Sequence, residues 1–365
     1  MKNLFFMNFS CIAKRSFNLI EKHASTHFMK NLVLIYLSIF CLILSGCDDD
    51  DDNGGSQGIV LTLLESDSQA PANVSLFFKA DFDNGDAVAD LEISDISIFE
   101  DNELISEFEA TRSFRDEDEE FLFSNILLLD LSGSVLDAEA LPILKEASID
   151  FIEQVIQPDS IEPIEMAIYW FDGEQDIHLL EGFTSDRTVL INSINSITSD
   201  ISSDNSTNLN GAVSQGIRIM EQRLDAIEAS LDVLAAGSIL IFTDGTDRAN
   251  RVTESAALDS VRRADENISM FTIGLGGEID QNVLNQFGKD GFELADNPDG
   301  LTESFEEAAR NIRDEANSFY IFEYCSPKRS GTFSLKIEVS AAGKSGTLEV
   351  PFDANGFTGG CTLGN

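Results

Sequence analysis

Leu122-Phe-Ser-Asn-Ile-Leu-Leu-Leu129 runs without a break into Asp130-Leu-Ser132-Gly-Ser134, and the reading of that junction decides the fold. A near-continuous apolar run of this length suits a strand buried on both faces, as in a parallel sheet covered by helices. Hydroxyl and carboxylate side chains at its carboxyl end fall where open α/β sheets place their sites. Two later segments carry the same chemistry: Thr207, and Asp244 within Ile241-Phe-Thr-Asp-Gly245. Ser132, Ser134 and Thr207 offer neutral oxygens and the two aspartates charged ones. Such a donor set suits a hard ion, Mg²⁺ or Mn²⁺, with Ca²⁺ as a third candidate.

The pattern around this junction alternates strands with helices from about 121 to 317. Helices are expected over 138–155, 186–197, 210–234 and 301–316, and strands over 165–171, 238–242 and 269–273. In the long helix Val213, Ile217, Met220, Leu224 and Ile227 fall on one face. Asp130, Thr207 and Asp244 are then all placed in or beside loops at one edge of the sheet. Trp170 is expected in the core. Asp172 and Asp247 each follow a strand at the same edge, where a carboxylate can orient an inner ligand or stay in solvent. Gly274-Leu-Gly-Gly277 lacks the spacing of a nucleotide loop and is read as a strand-to-helix turn.

The D-x-S-x-S, Thr and Asp elements, in this order, resemble the metal-ion-dependent adhesion site of the von Willebrand factor type A family. Turn chemistry accounts for each piece singly but not for all three at the family's spacing. The resemblance implies a Rossmann-like, doubly wound, mostly parallel sheet. It implies that Ser132, Ser134 and Thr207 bind the metal directly while Asp130 and Asp244 act largely through water. One coordination position is then left for an acidic residue of a partner. Few charged ligands leave the ion electrophilic toward an incoming carboxylate; more carboxylates would quench it.

The chain has 365 residues, enough for two domains. Its 65 acidic residues against 23 basic ones give a net charge of −42, which argues against nucleic acid or an anionic membrane surface as partner. A 13-residue apolar run, Leu32 to Leu44, follows Lys30 and suits a signal-peptide core better than a membrane span. It closes on Leu44-Ser-Gly-Cys47, which resembles a bacterial lipobox whose cysteine is acylated and becomes the first mature residue. Met29-Lys-Asn-Leu would itself begin a conventional signal, so Met29 is a candidate true start. Asp48 to Asp52 and the following Asn-Gly-Gly-Ser cannot pack and read as a solvated tether. The tether also resembles the acidic export signals of Bacteroidota surface lipoproteins. Outer-membrane anchoring with surface display is expected, with a periplasm-facing tether as the alternative. Cys325 and Cys361 are the two cysteines left after the signal region and Cys47. An even remainder in an exported chain favours one disulfide, the other reading being two free thiols.

Strands joined by tight turns are expected on either side of the α/β unit, over 74–78, 96–99 and 104–108 before it and 319–324, 332–339 and 347–352 after it. Neither flank suffices for a core alone, so both are expected to build one smaller β-sandwich into which the α/β domain is inserted. The expected division is a signal region 1–46, tether 47–56, first sandwich half 57–118, α/β domain 119–317 and second sandwich half 318–365. The acidic stretch Arg115–Glu120 is read as a solvated link.

Catalysis has little support. His178 is the single histidine beyond the signal region, with no serine or cysteine nucleophile motif beside it, and is assigned a structural role. The leading reading is a binding module, not an enzyme: a lipid-anchored envelope protein that captures an acidic side chain of a protein partner, or secondarily a glycan, through its ion. The competing readings are a structural subunit of an envelope complex held by the metal site and, third, a hydrolase.

Overall fold

The computed structural model describes residues 58–114, 121–137, 140–157, 164–231 and 233–363. The expected signal region, the tether, Cys47 and the link at 115–120 lie outside the described residues. The first flank supplies β1 (Ile59–Gln69), β2 (Asn73–Phe82), β3 (Ile96–Glu100), β4 (Glu103–Ile105) and β5 (Arg112–Phe114). The central unit supplies β6 (Phe121–Asp130), β7 (Ile164–Phe171), β8 (His178–Thr184), β9 (Leu234–Thr243), β10 (Ile268–Leu275) and β11 (Gly291–Ala295). Its helices are α1 (Gly133–Asp137), α2 (Ala140–Val155), α3 (Arg187–Asn195), α4 (Leu209–Leu231), α5 (Glu254–Arg263), α6 (Gln281–Phe287) and α7 (Leu301–Ala316). The last flank supplies β12 (Phe319–Cys325), β13 (Thr332–Ala341) and β14 (Lys344–Asp353).

The central six-stranded sheet has the order β11-β10-β9-β6-β7-β8. Its pairings are parallel except β7 with β8, which a short turn rather than a crossover helix connects. The quoted apolar run is β6, flanked by β7 and β9. Leu127 and Leu129 pack with α2, α3 and α7 on one face, while Ile126 and Leu128 pack with α4, α5 and α6 on the other. Side chains alternate faces along a strand, so helices on both faces demand apolar residues at every position. This is the doubly wound α/β architecture expected from the run.

The flanks form two antiparallel four-stranded sheets, β1-β2-β12-β5 and β14-β13-β3-β4. Each contains strands from both ends of the chain. Leu76, Phe78, Ile98, Phe322, Leu335, Ile337 and Phe352 fill the core between them. Phe77 points the other way, against Phe121 and Phe319 with ring centroids 5.8 and 6.1 Å away. Two-residue hairpin turns of type I′ need positive φ at both central positions, which Asp101 (50°) and Asn102 (67°) adopt between β3 and β4 and Ala342 (51°) and Gly343 (76°) between β13 and β14. Cys325 and Cys361 are bonded, tying the end of β12 to the segment after β14. Closing a loop of 36 residues restricts the unfolded chain by about 4 kcal/mol.

Two expectations need correction. The helix expected to reach residue 234 stops at Leu231, and Leu234 opens β9 opposite Phe121. Gly237 has no room for a side chain there: a Cβ would lie 2.6 Å from Met220 Sδ of α4. The strand expected over 104–108 ends at Ile105, where Ser106 turns the chain by donating its amide and hydroxyl to Glu109 Oε2, leaving Phe108 fully exposed.

Candidate metal centre

Asp130 is the last residue of β6 and is wholly buried. Its Oδ1 accepts the Ser132 amide at 2.9 Å and its Oδ2 accepts the Thr243 hydroxyl at 2.6 Å. Thr243 ends β9, the neighbouring strand, so the two strands lock the carboxylate between them. Gly133 separates the two serines because the Asn205 loop leaves no room: its amide donates to Asn205 O at 3.2 Å, and a Cβ would meet the Asn205 side chain at 2.8 Å. Ser134 Oγ lies 3.4 Å from Ser132 Oγ and donates to Asp244 Oδ1 at 2.9 Å.

Thr207 arrives from the loop before α4. Its carbonyl accepts the amides of Arg248 (2.9 Å) and Ala249 (3.0 Å), which tie it to the loop after β9. Its hydroxyl is 3.9 Å from where a Cβ on Gly245 would stand, which sets it beside the loop that carries Asp244. All five residues singled out in the sequence therefore lie at the carboxyl ends of β6 and β9, where β6 has a neighbour on each side and the strand order reverses. Thr243 was missed, although its place directly before Asp244 was a signal. Asp247 proves to be a structural cap: Oδ2 accepts the Asn210 amide at the start of α4 and Oδ1 accepts that of Asn250.

Burial, and then the charge of Asp244, push the Asp130 carboxyl up to about 7. Burial raises Asp244 as well, against the hydrogen bond from Ser134. A buried and a half-buried carboxylate, each raised by desolvation, leave a position where a cation is favoured. Donor spacing fits one. Oxygens around an octahedral ion at 2.0–2.1 Å sit roughly 2.9–3.0 Å apart along an edge, and around Ca²⁺ at 2.3–2.6 Å roughly 3.3–3.7 Å. The Ser132–Ser134 separation, 3.4 Å, falls at the Ca²⁺ end of that range, and the 2.9 Å hydrogen bond to Asp244 holds the Ser134 hydroxyl in place.

Residues 126–246 match the family model of the von Willebrand factor type A domain, a range that contains all five residues of the centre. The chain carries a von Willebrand factor type A domain. Domains of this family are adhesion and protein–protein interaction modules that take a divalent ion at their adhesion site. Among solved structures, the BatB protein of Bacteroides thetaiotaomicron is similar at 16% identity and a TM-score of 0.41, over 54% of this chain and 100% of that one. A von Willebrand factor type A protein of Catenulispora acidiphila is similar at 11% identity and a TM-score of 0.43, over 84% and 75%. Proximal thread matrix protein 1 of the mussel byssus, in a form whose adhesion-site motif holds zinc, is similar at 14% and 0.40, over 58% and 49%. No curated protein matches. Among the described residues no helix is long and apolar enough to cross a membrane.

Proposed function

We propose that Asp130, Ser132, Ser134, Thr207 and Asp244 hold one divalent ion, Mg²⁺ or Mn²⁺, and that a carboxylate of a protein partner completes its coordination. The ion supplies concentrated positive charge to a chain whose net charge of −42 otherwise disfavours an acidic partner. The observation that carries this reading is the Asp130 carboxylate, wholly buried and fixed by Ser132 and Thr243 beside the hydroxyl cluster. The proposed arrangement is a binding domain at 119–317 borne on a sandwich of 57–118 and 318–365. Cys47 and the tether 47–56 would fasten it to the outer membrane of a bacterium, facing outward.

An ion that binds the folded state alone, at a hundred times its dissociation constant, adds about 2.7 kcal/mol. Mg²⁺ or Mn²⁺ should therefore raise the melting temperature of the full chain, and Asp130→Ala should remove that increment while leaving the circular dichroism spectrum unchanged. Capture of an envelope protein should be lost both with chelator and with Asp130→Ala. A melting curve indifferent to divalent ions and chelator sinks the proposal.

A further inference from the structure

A second group of ligating side chains lies just after β7. Asp172, Glu174 and His178 offer one ligand atom each within 4.8 Å of one another. His178 Nε2 lies 3.4 Å from Glu174 Oε2 and 3.9 Å from Asp172 Oδ1. That nitrogen is sealed from solvent, and it makes no hydrogen bond to either carboxylate. Two carboxylate oxygens converging on one imidazole nitrogen call for positive charge between them, a proton or a metal ion.

The surroundings hold these atoms in place. The imidazole stacks on Trp170 with centroids 4.1 Å apart and planes 17° off parallel. Ser202 Oγ donates to the other oxygen of Asp172 at 2.6 Å, and Ser203 Oγ donates to the other oxygen of Glu174. The two serines thus fix the carboxylates from behind, as outer partners of metal ligands do. The Glu174 amide occupies one lone pair of Asp172 Oδ1 and leaves the second.

We infer that Asp172, Glu174 and His178 form a second metal site, which takes a borderline transition ion of the zinc type. Imidazole nitrogen with two carboxylate oxygens selects such an ion over Mg²⁺ or Ca²⁺. Ligand atoms about 2.0–2.1 Å from a tetrahedral ion lie roughly 3.3–3.4 Å apart; the 3.4 Å separation matches, and the 3.9 Å one closes by about half an ångström when the ion binds. Three protein ligands leave a fourth position for water or an incoming group. This site is distinct from the adhesion-type centre but shares a loop with it. Asn208, next to Thr207, donates its amide to Asp172 O at 2.8 Å and its side chain to Glu174 O at 2.8 Å and Gln175 O at 3.1 Å.

The test uses the full chain carrying Asp130→Ala, so that failure of the first centre does not enter. Zn²⁺ titration followed by calorimetry should find one site, and Co²⁺ in its place should give the visible absorption of a four-coordinate ion. His178→Phe, which keeps a ring on Trp170, should weaken binding by more than about a hundredfold, and Ser202→Ala by about 10–100-fold. Glu174→Gln, at a half-exposed position that leaves the fold undisturbed, should also abolish the cobalt band. No zinc bound to the Asp130→Ala chain, or zinc bound equally well after His178→Phe and Glu174→Gln, overturns the inference and leaves the cluster a proton-bridged ion pair.

Discussion

Lys79→Met is expected to lower stability by about 3–5 kcal/mol, the cost of leaving a buried carboxylate without its cation. Lys79 belongs to β2 of the sandwich, yet its ammonium lies 2.6 Å from Glu315 Oε1, in the last turn of α7, and 3.2 Å from Asp81 Oδ1. Lys79 and Glu315 are both buried, and the Ser269 hydroxyl of β10 also donates to Glu315. Burial disfavours the ammonium, and Glu315 and Asp81 outweigh it, so the pKa of Lys79 is raised above its ordinary value. Methionine keeps the side-chain volume and removes the charge. The double variant Lys79→Met/Glu315→Gln should recover most of the loss, and urea unfolding of the four proteins would measure the coupling. A single-variant loss under about 1 kcal/mol refutes this account of the junction between sandwich and α/β unit.

The metal-free protein should become less stable as pH rises from about 4 to about 7, by on the order of 4 kcal/mol from Asp130 alone. The carboxyl is pushed up to about 7 in the folded chain from an ordinary value of 3.8. Between those values the folded state binds a proton that the unfolded state has released. The stabilisation is complete below the lower value, fades as pH rises and is gone above the upper one. Saturating Mg²⁺ should flatten the decline, because the ion takes the proton's place. Burial also raises Asp244 and Glu315, so the quantity to measure is the difference between wild type and Asp130→Asn in chelator. Equal slopes for the two proteins would show that Asp130 ionises freely.

The parts of the fold that were legible in the sequence are those whose local pattern and burial agree. β6 was read from its unbroken apolar run, and α7 from Leu301, Phe305, Ala308, Ile312 and Ala316 recurring at helical spacing. The start of α3 was marked by Asp186, whose side chain accepts the amides of Thr188 and Val189. β1 and β11 were not read, because both are edge strands with a single hydrogen-bonded neighbour and a weak face pattern. α5 buries just Ala257, Leu258 and Val261, too few apolar positions to announce a helix. Within the centre the five side chains were visible, since type and spacing carried the signal. Thr243, Gly133 and Asn205 were not, because their roles exist only where separate segments meet. In the sequence His178 was assigned a structural role, Asp172 was read as orienting an inner ligand or lying in solvent, and Glu174 was not singled out; the stack on Trp170 across the β7–β8 pairing is what brings them together.

The interleaved sandwich imposes an order in time. Lys79 of β2 pairs with Phe319 of β12, and Glu100 of β3 with Leu335 of β13, so neither sheet closes until nearly the whole chain is available. Long-range pairings of this kind form late, because the loop must be ordered before its contacts compensate. The α/β unit depends on nearer partners: β6 on β7, and β9 on β10. Pulse-labelled hydrogen exchange during refolding should find the amides of β6, β7 and β9 protected before those of β3 and β13, and the reverse order would exclude this sequence of events. A chain cut short after α7 would display β2 and β3 with open edges, an invitation to pair with other molecules. The α/β unit should thus be ordered before its support, and the last few dozen residues cover the edges that would otherwise stay open.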